Sequence, residues 1–180
     1  MFRKRESGIG LIEFVMVLAL IGLASLIAVP AFRGWMPDLR LKKASRDLFS
    51  NFQRAKFEAA KSNGNCTVTF GQTIGGETYG YVVFQDADND LEYDAGERTV
   101  AMVRWSDYKN VDLDTSMGGG TGLDFPSNDD GLPCVAFGAN GLPRDNAGNA
   151  GTGRVFLVNS NAKKRNVEIS PAGNIKIHMP

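Results

Sequence analysis

The chain has 180 residues, of which 43% are apolar and 22% charged, a balance that supports a packed core and argues against wholesale disorder. Twenty basic and twenty acidic side chains cancel, so nothing points to a nucleic-acid binder driven by bulk charge. One histidine, His178, and two cysteines, Cys66 and Cys134, argue against a zinc site and a Ser-His-Asp triad. No nucleophile motif suggests an enzyme. The zero total hides a segregation: the net charge is +1 over residues 1–32, +5 over 33–64, −10 over 65–130 and +4 over 131–180. Such asymmetry suggests surfaces of different sign for different partners.

Arg3, Lys4 and Arg5 precede an uncharged run of 19 residues, Phe14 to Phe32. As a helix this run spans about 28 Å, the hydrocarbon thickness of a bilayer. The basic residues before it belong on the cytoplasmic side, which sends the C-terminal bulk outward. A signal peptide, a plain anchor and a buried core helix compete with this reading. Apolarity on every face weighs against the core helix. Glu13, at the mouth of the run, weighs against the signal peptide, because a carboxylate there is costly in lipid and is kept for a reason.

Ser7-Gly8-Ile9-Gly10-Leu11-Ile12-Glu13-Phe14 resembles the processing site of type IV prepilins and type II secretion pseudopilins. The resemblance implies that an inner-membrane prepilin peptidase cuts between Gly8 and Ile9 and methylates the new N-terminus. It makes Glu13 the fifth mature residue, the acid of filament assembly. Pro30 falls where pilins carry a helix-bending proline. Ile9 and Gly10 depart from the family's usual Phe and Thr. A carboxylate buried in a filament core needs a partner, and the free amine of a neighbour's Ile9 would supply it.

Beyond Pro30 the pattern turns amphipathic: Leu41, Ala44, Leu48, Phe52, Ala55 and Ala59 recur at steps of three and four. Asn63-Gly64 is a helix stop. One helix is therefore expected from about residue 9 to 62, bent near Pro30. From Cys66 onward, short runs rich in Val, Phe, Tyr and Thr predict strands at 66–70, 79–84, 98–105, 111–113, 134–138, 153–158, 165–170 and 174–178. The last two read as a hairpin around Pro171-Ala172-Gly173. Residues 115–133 read as a long loop, and Gly118-Gly-Gly-Thr-Gly122 lacks the strand-to-helix setting of a phosphate cradle.

The stretch from Tyr79 to Glu97 and the closing stretch from Asn166 to His178 resemble GspH/FimT-type minor pilins and pseudopilins. The implied fold is α+β and type IV pilin-like, a long N-terminal helix packed on a β-sandwich-like domain. The implied organisation is a leader at 1–8, a transmembrane and filament-core helix at 9–32, its amphipathic continuation at 33–63 and a β-rich periplasmic domain at 64–180. The implied role is a subunit that primes or tips a type IV pilus or a type II secretion pseudopilus. Its partners would be other pilins, the prepilin peptidase and the inner membrane, with the filament at the periplasm or cell surface.

Three further clusters carry expectations. Asp86, Asp88, Asp90, Glu92, Asp94 and Glu97 crowd into twelve residues. Calcium binds such oxygen clusters, and from Asp86 the spacing follows an EF-hand loop except at position six, which is Leu91 instead of Gly. A left-handed turn there costs about 1–2 kcal/mol; a solvated acidic hairpin loop and a partner-facing acidic patch are the alternatives. No cofactor beyond calcium is implied. Cys66 and Cys134 would form a disulfide in an oxidising compartment or remain two buried thiols. Finally, some FimT-like minor pilins capture DNA, and Lys163, Lys164, Arg165 and Lys176 are the residues here that phosphate would meet; a solvated hairpin is the plain reading.

Overall fold

A computed structural model describes residues 10–179, without the side chains of residues 27, 29, 30, 31 and 33. The chain forms two compact units, Met1–Met36 and Pro37–Pro180. Helix α1, Leu11–Ser62, begins in the first and ends in the second. In the first unit its side chains are apolar and exposed from Leu11 and Ile12 through Phe14, Leu18 and Leu23 to Leu26. Among the described residues no helix is long and apolar enough to cross a membrane. The uncharged run of the sequence extends through residues 27, 29, 30 and 31, whose side chains lie outside the described set, while the backbone of α1 is helical through residue 30. The expected leader and cleavage site, Gly8 and Ile9, also lie outside the described residues.

In the second unit the amphipathic stripe of α1 is the spine of the core. Leu41, Ala44, Leu48, Phe52, Ala55 and Ala59 are all buried. Among the described residues eleven strands follow: β1 (Asn65–Phe70), β2 (Thr73–Ile74), β3 (Glu77–Thr78), β4 (Tyr81–Asp86), β5 (Thr99–Val103), β6 (Val111–Leu113), β7 (Cys134–Phe137), β8 (Pro143–Arg144), β9 (Gly153–Asn159), β10 (Lys164–Ile169) and β11 (Ile175–His178). All eight predicted strands are present, with ends shifted by a residue or a few. The two-residue strands β2, β3 and β8 are additions too short to give an alternation.

The strands form a five-stranded sheet ordered β5-β4-β1-β7-β8, a four-stranded sheet ordered β11-β10-β9-β6, and the ribbon β2-β3. Every named pairing is antiparallel. Both larger sheets share one core with α1: Val68, Phe70, Tyr81, Val83 and Phe137 from the first, Val155, Leu157, Val167 and Ile169 from the second. Phe52 of α1 lies 6.4 Å from the rings of both Phe70 and Phe137. The hairpin β10–β11 turns at Gly173, whose φ is +73° and where a Cβ would meet the Gly141 carbonyl at 2.6 Å. Only glycine fits there, and Lys56 of α1 donates to its carbonyl at 2.7 Å.

The first sheet is buried on both faces. Its second face carries Thr67, Thr69, Val82, Phe84, Cys134 and Ala136. The segment between β4 and β5 folds back over it: Leu91 packs with Cys134 and Ala136, and Tyr93 meets Phe84 edge-on at 5.4 Å.

Candidate functional site

At the N-terminal end, Glu13 lies in the first turn of α1, and its Oε2 accepts the Gly10 N–H at 3.2 Å. A carboxylate satisfies an orphan N–H there and suits the positive end of the helix dipole.

The acidic loop is built on Asp86, the last residue of β4. Asp86 is only 4% exposed. Its Oδ2 accepts the Thr67 hydroxyl at 2.9 Å and the Leu91 N–H at 3.1 Å, and its Oδ1 accepts the Asn89 N–H at 2.7 Å. Glu97 accepts the N–H groups of Ala87 and Asp94, Asp90 that of Glu92, and Glu92 that of Asp130. Asn128, buried, donates to the Leu91 carbonyl and so ties the loop to the 128–131 turn. Leu91 has φ +66°, so the position where an EF-hand loop takes glycine is left-handed here despite its side chain. Burial of that side chain against Cys134 and Ala136 offsets the strain.

Two oxygen triads lie within cation reach: Asp86, Asp88 and Glu97, and Asp88, Asp90 and Asp94, each with one oxygen per residue inside 4.8 Å. Glu92 belongs to neither. Burial holds the carboxyls of Asp86, Glu92 and Glu97 above their ordinary range, helped at Glu92 by Asp130 and at Glu97 by Asp86 and Asp88.

The basic residues near the C-terminus are mostly partnered. Lys163 meets Asp38 of α1 at 2.6 Å, where Asn159 and Asn161 also donate. Lys164 meets Asp114 at 2.6 Å. These contacts hold both acids below the ordinary range: Lys163 and then Asn159 for Asp38, Lys164 and then Ser116 for Asp114. Arg154 pairs with Asp124 at 3.0 Å, and His178 lies 3.2 Å from Glu168. Arg165 and Lys176 have no ion-pair partner among the described residues, so the four residues expected to meet phosphate split into two paired and two unpaired. The acids Asp38 and Asp114 went unnoticed in the sequence, because Asp38 lies 125 residues from Lys163 and no local spacing announces the contact.

The expected disulfide is corrected. Cys66 and Cys134 are free and buried. They stand on adjacent strands, but Cys66 pairs with Phe137 and Cys134 with Thr69. That offset of three positions separates their Cα atoms by about 11 Å, beyond the roughly 7 Å a disulfide tolerates. An odd offset also places them on opposite faces, Cys66 in the main core and Cys134 under Leu91. Burial pushes both thiols up to about 12.

No curated protein sequence matches the chain significantly. A solved structure, the type IV minor pilin FimU of Pseudomonas aeruginosa, is similar at 15% identity over 80% of this chain and 92% of that one, with a TM-score of 0.45, too low to carry further argument. The family model of the type II transport protein GspH matches residues 44–173. This span covers well over half of the chain and holds α1 from residue 44 onward with every strand except β11, so the chain belongs to the GspH family, pilin-like subunits that assemble with other pilins and are structural proteins, not enzymes.

Proposed function

We propose that this protein is a minor pilin or pseudopilin that is processed between Gly8 and Ile9, held in the inner membrane by its apolar N-terminal run, and inserted into a filament where it primes or tips assembly. The observation that carries this reading is Glu13 in the first turn of a helix whose following side chains are apolar and exposed. Such a surface is stable only when lipid or other helices cover it. Once processed, the free amine of a neighbour's Ile9 partners the Glu13 carboxylate, and uncut chains lack that charge.

Co-expression with a prepilin peptidase and mass spectrometry of the membrane-extracted chain test the first step; loss of residues 1–8 is expected, and a bulky replacement of Gly8 keeps the chain at full length. Glu13→Ala is expected to be cut and inserted yet poorly incorporated into filaments. Full incorporation of that variant would overturn the assembly role. Within the same reading, calcium is the cation the two oxygen triads of the acidic loop suit. Melting curves in millimolar calcium, in equal magnesium and in chelator test it, and a midpoint that calcium does not raise above the magnesium value removes it.

A further inference from the structure

The end of the domain at which α1 enters is basic, and it carries more cations than the fold uses. Two turns gather there around residues 38–43 of α1. Arg40 donates to the Lys109 carbonyl at 3.4 Å and to Asn110 Oδ1 at 3.2 Å, Lys43 lies over the Tyr108 ring at 5.8 Å, and Asn159, Asn161 and Lys163 converge on Asp38. The turns also meet each other, the Ser160 N–H donating to the Asn110 carbonyl at 3.1 Å. Beside them a hollow of about 530 Å³ is lined by Leu41, Met179, Lys163, Lys164 and Arg165. The acids of this end are mostly spent: Asp38 on Lys163, Asp114 on Lys164, Asp47 on the Tyr108 hydroxyl and Asp107 on Arg104, which leaves Asp112 of β6 exposed. Lys42, Arg46 and Lys109 are exposed without an ion-pair partner among the described residues.

The sequence ties this end to the lipid boundary. Three basic residues, Arg3, Lys4 and Arg5, precede the uncharged run, and five, Arg33, Arg40, Lys42, Lys43 and Arg46, follow it within fifteen residues. Basic residues flanking a span favour the cytoplasmic side, so these five do nothing to send the domain outward. A domain of this length is exported regardless of such charges, and their retention calls for another use. Asp38 stands six residues beyond Phe32, the end of the run, and six residues reach at most about 21 Å however the chain runs. Trp35, a residue type that settles at headgroup depth, lies between them in the sequence. The acidic loop is at the far end, because Asp86 pairs in register with Asn65, just past the last residue of α1. Along the helix that is about 36 Å from Asp38.

We propose that this basic end docks on the anionic phospholipid headgroups of the leaflet from which the chain emerges, and so seats the domain on the membrane before the subunit enters a filament. Each cation near an anionic surface adds attraction, which fades within a Debye length. Leu39 and Met179 are exposed among the cations, and an apolar residue beside a basic one suits the headgroup boundary. The carboxylates of the acidic loop take no part and stay turned away from the lipid. The inference rests on the membrane-anchored reading and adds to it the surface that meets the bilayer.

The test places the full chain in lipid nanodiscs, phosphatidylcholine alone in one set and phosphatidylcholine mixed with phosphatidylglycerol in the other, with a nitroxide on a trace of the headgroups. A fluorophore on Ser160→Cys, in the turn between β9 and β10, reports the basic end, and one on Ala87→Cys reports the far end; both positions are exposed and the native cysteines are buried. Quenching at Ser160→Cys is expected to be several-fold stronger in the anionic discs and to stay low at Ala87→Cys. It should fall to the neutral value in about 1 M salt, where screening acts over about 3 Å. Lys42→Gln with Lys109→Gln removes two cations the fold does not use and should lower the ratio of docked to undocked chains about 25-fold, at roughly fivefold per cation. An unchanged melting temperature shows that this variant folds. Equal quenching in the two lipids, or a rise at Ala87→Cys that matches Ser160→Cys, would overturn the docking. Short duplex DNA that binds the basic end in neutral discs, while anionic lipid changes nothing, would overturn it too and give the surface to nucleic acid. A chain that fails to enter the discs removes the anchored reading and this inference together, whereas one that enters and quenches equally removes this inference alone.

Discussion

In the loop between β4 and β5, Asp86, Glu92 and Glu97 point at backbone N–H groups; around β10, Asp38 and Asp114 point at lysines. The first set is held above the ordinary carboxylate range by burial and by neighbouring acids, the second below it by Lys163 and Lys164. The same side chain thus plays two parts. In the loop it ends and fastens backbone that has no sheet partner, and the charge that remains is left over for the surface. Around β10 it locks a strand to α1 and to β6, and the charge is cancelled on the spot.

The sharpest way to break this contrast is at Asp86. Asp86→Ala leaves the Thr67 hydroxyl and two N–H groups without their acceptor in a buried site. The expected loss is about 3 kcal/mol, at roughly 1–3 kcal/mol for each unpaired group with partial rescue by water. Asp86→Asn keeps one acceptor and should lose less. Chemical denaturation gives both values; equal stability of the alanine variant and the parent would show that the loop is not fastened there. At the paired end the effect is smaller. Lys164→Met leaves the Asp114 carboxylate with the Ser116 contacts alone, and because the lysine is itself half-exposed the expected loss is about 1 kcal/mol.

The two ends also respond to pH in opposite directions. Raised acids contribute stability below their unfolded values and lose it as pH climbs through the folded ones; Asp86, Glu92 and Glu97 therefore favour mildly acidic solution over neutral. Lowered acids contribute above the unfolded value of 3.8 and lose it as pH falls through the folded one, which applies to Asp38 and Asp114. The melting temperature should rise as pH is lowered from neutral toward the ordinary carboxylate range and fall below it. Asp86→Asn should flatten the rise and leave the fall in place. A curve that only declines from neutral pH would contradict the raised set.

Much of this was readable in the sequence, and the divide is between local and distant information. The stripe from Leu41 to Ala59 and the runs rich in Val, Phe, Tyr and Thr of the eight longer strands are local patterns, and each appears within a few residues of where the pattern placed it. Leu91 was legible as the residue that would strain an EF-hand-like loop, and its φ of +66° shows that strain accepted. What offsets it was not legible, since burial against Cys134 depends on the loop folding back across a sheet. The cysteines fail for the same reason. Their spacing says nothing of register, and the pairing of β1 with β7 sets them three positions apart on opposite faces. The partner of Lys163 was hidden by sequence distance. In each case the missing information is which distant segments become neighbours.

The smallest expected effect changes no stability and asks only which end opens first. Both thiols are buried and both are pushed up to about 12, so at neutral pH neither is appreciably a thiolate in the closed state and intrinsic reactivity does not separate them. Access does. Cys134 is covered by Leu91 of the acidic loop, a segment held by bonds to its own carboxylates and strained by their mutual repulsion. Cys66 lies in the core shared by α1 and both sheets, which opens only when the domain unfolds. Alkylation of the native protein, followed by peptide mass spectrometry, should therefore label Cys134 before Cys66. The gap should narrow in mildly acidic solution, where protonation relieves the loop, once the slower alkylation at lower pH is corrected with the unfolded chain. Screening by salt should narrow it too. Both cysteines labelled together would mean that the loop and the core open as one unit, and Cys66 labelled first would reverse the assignment of the weaker face.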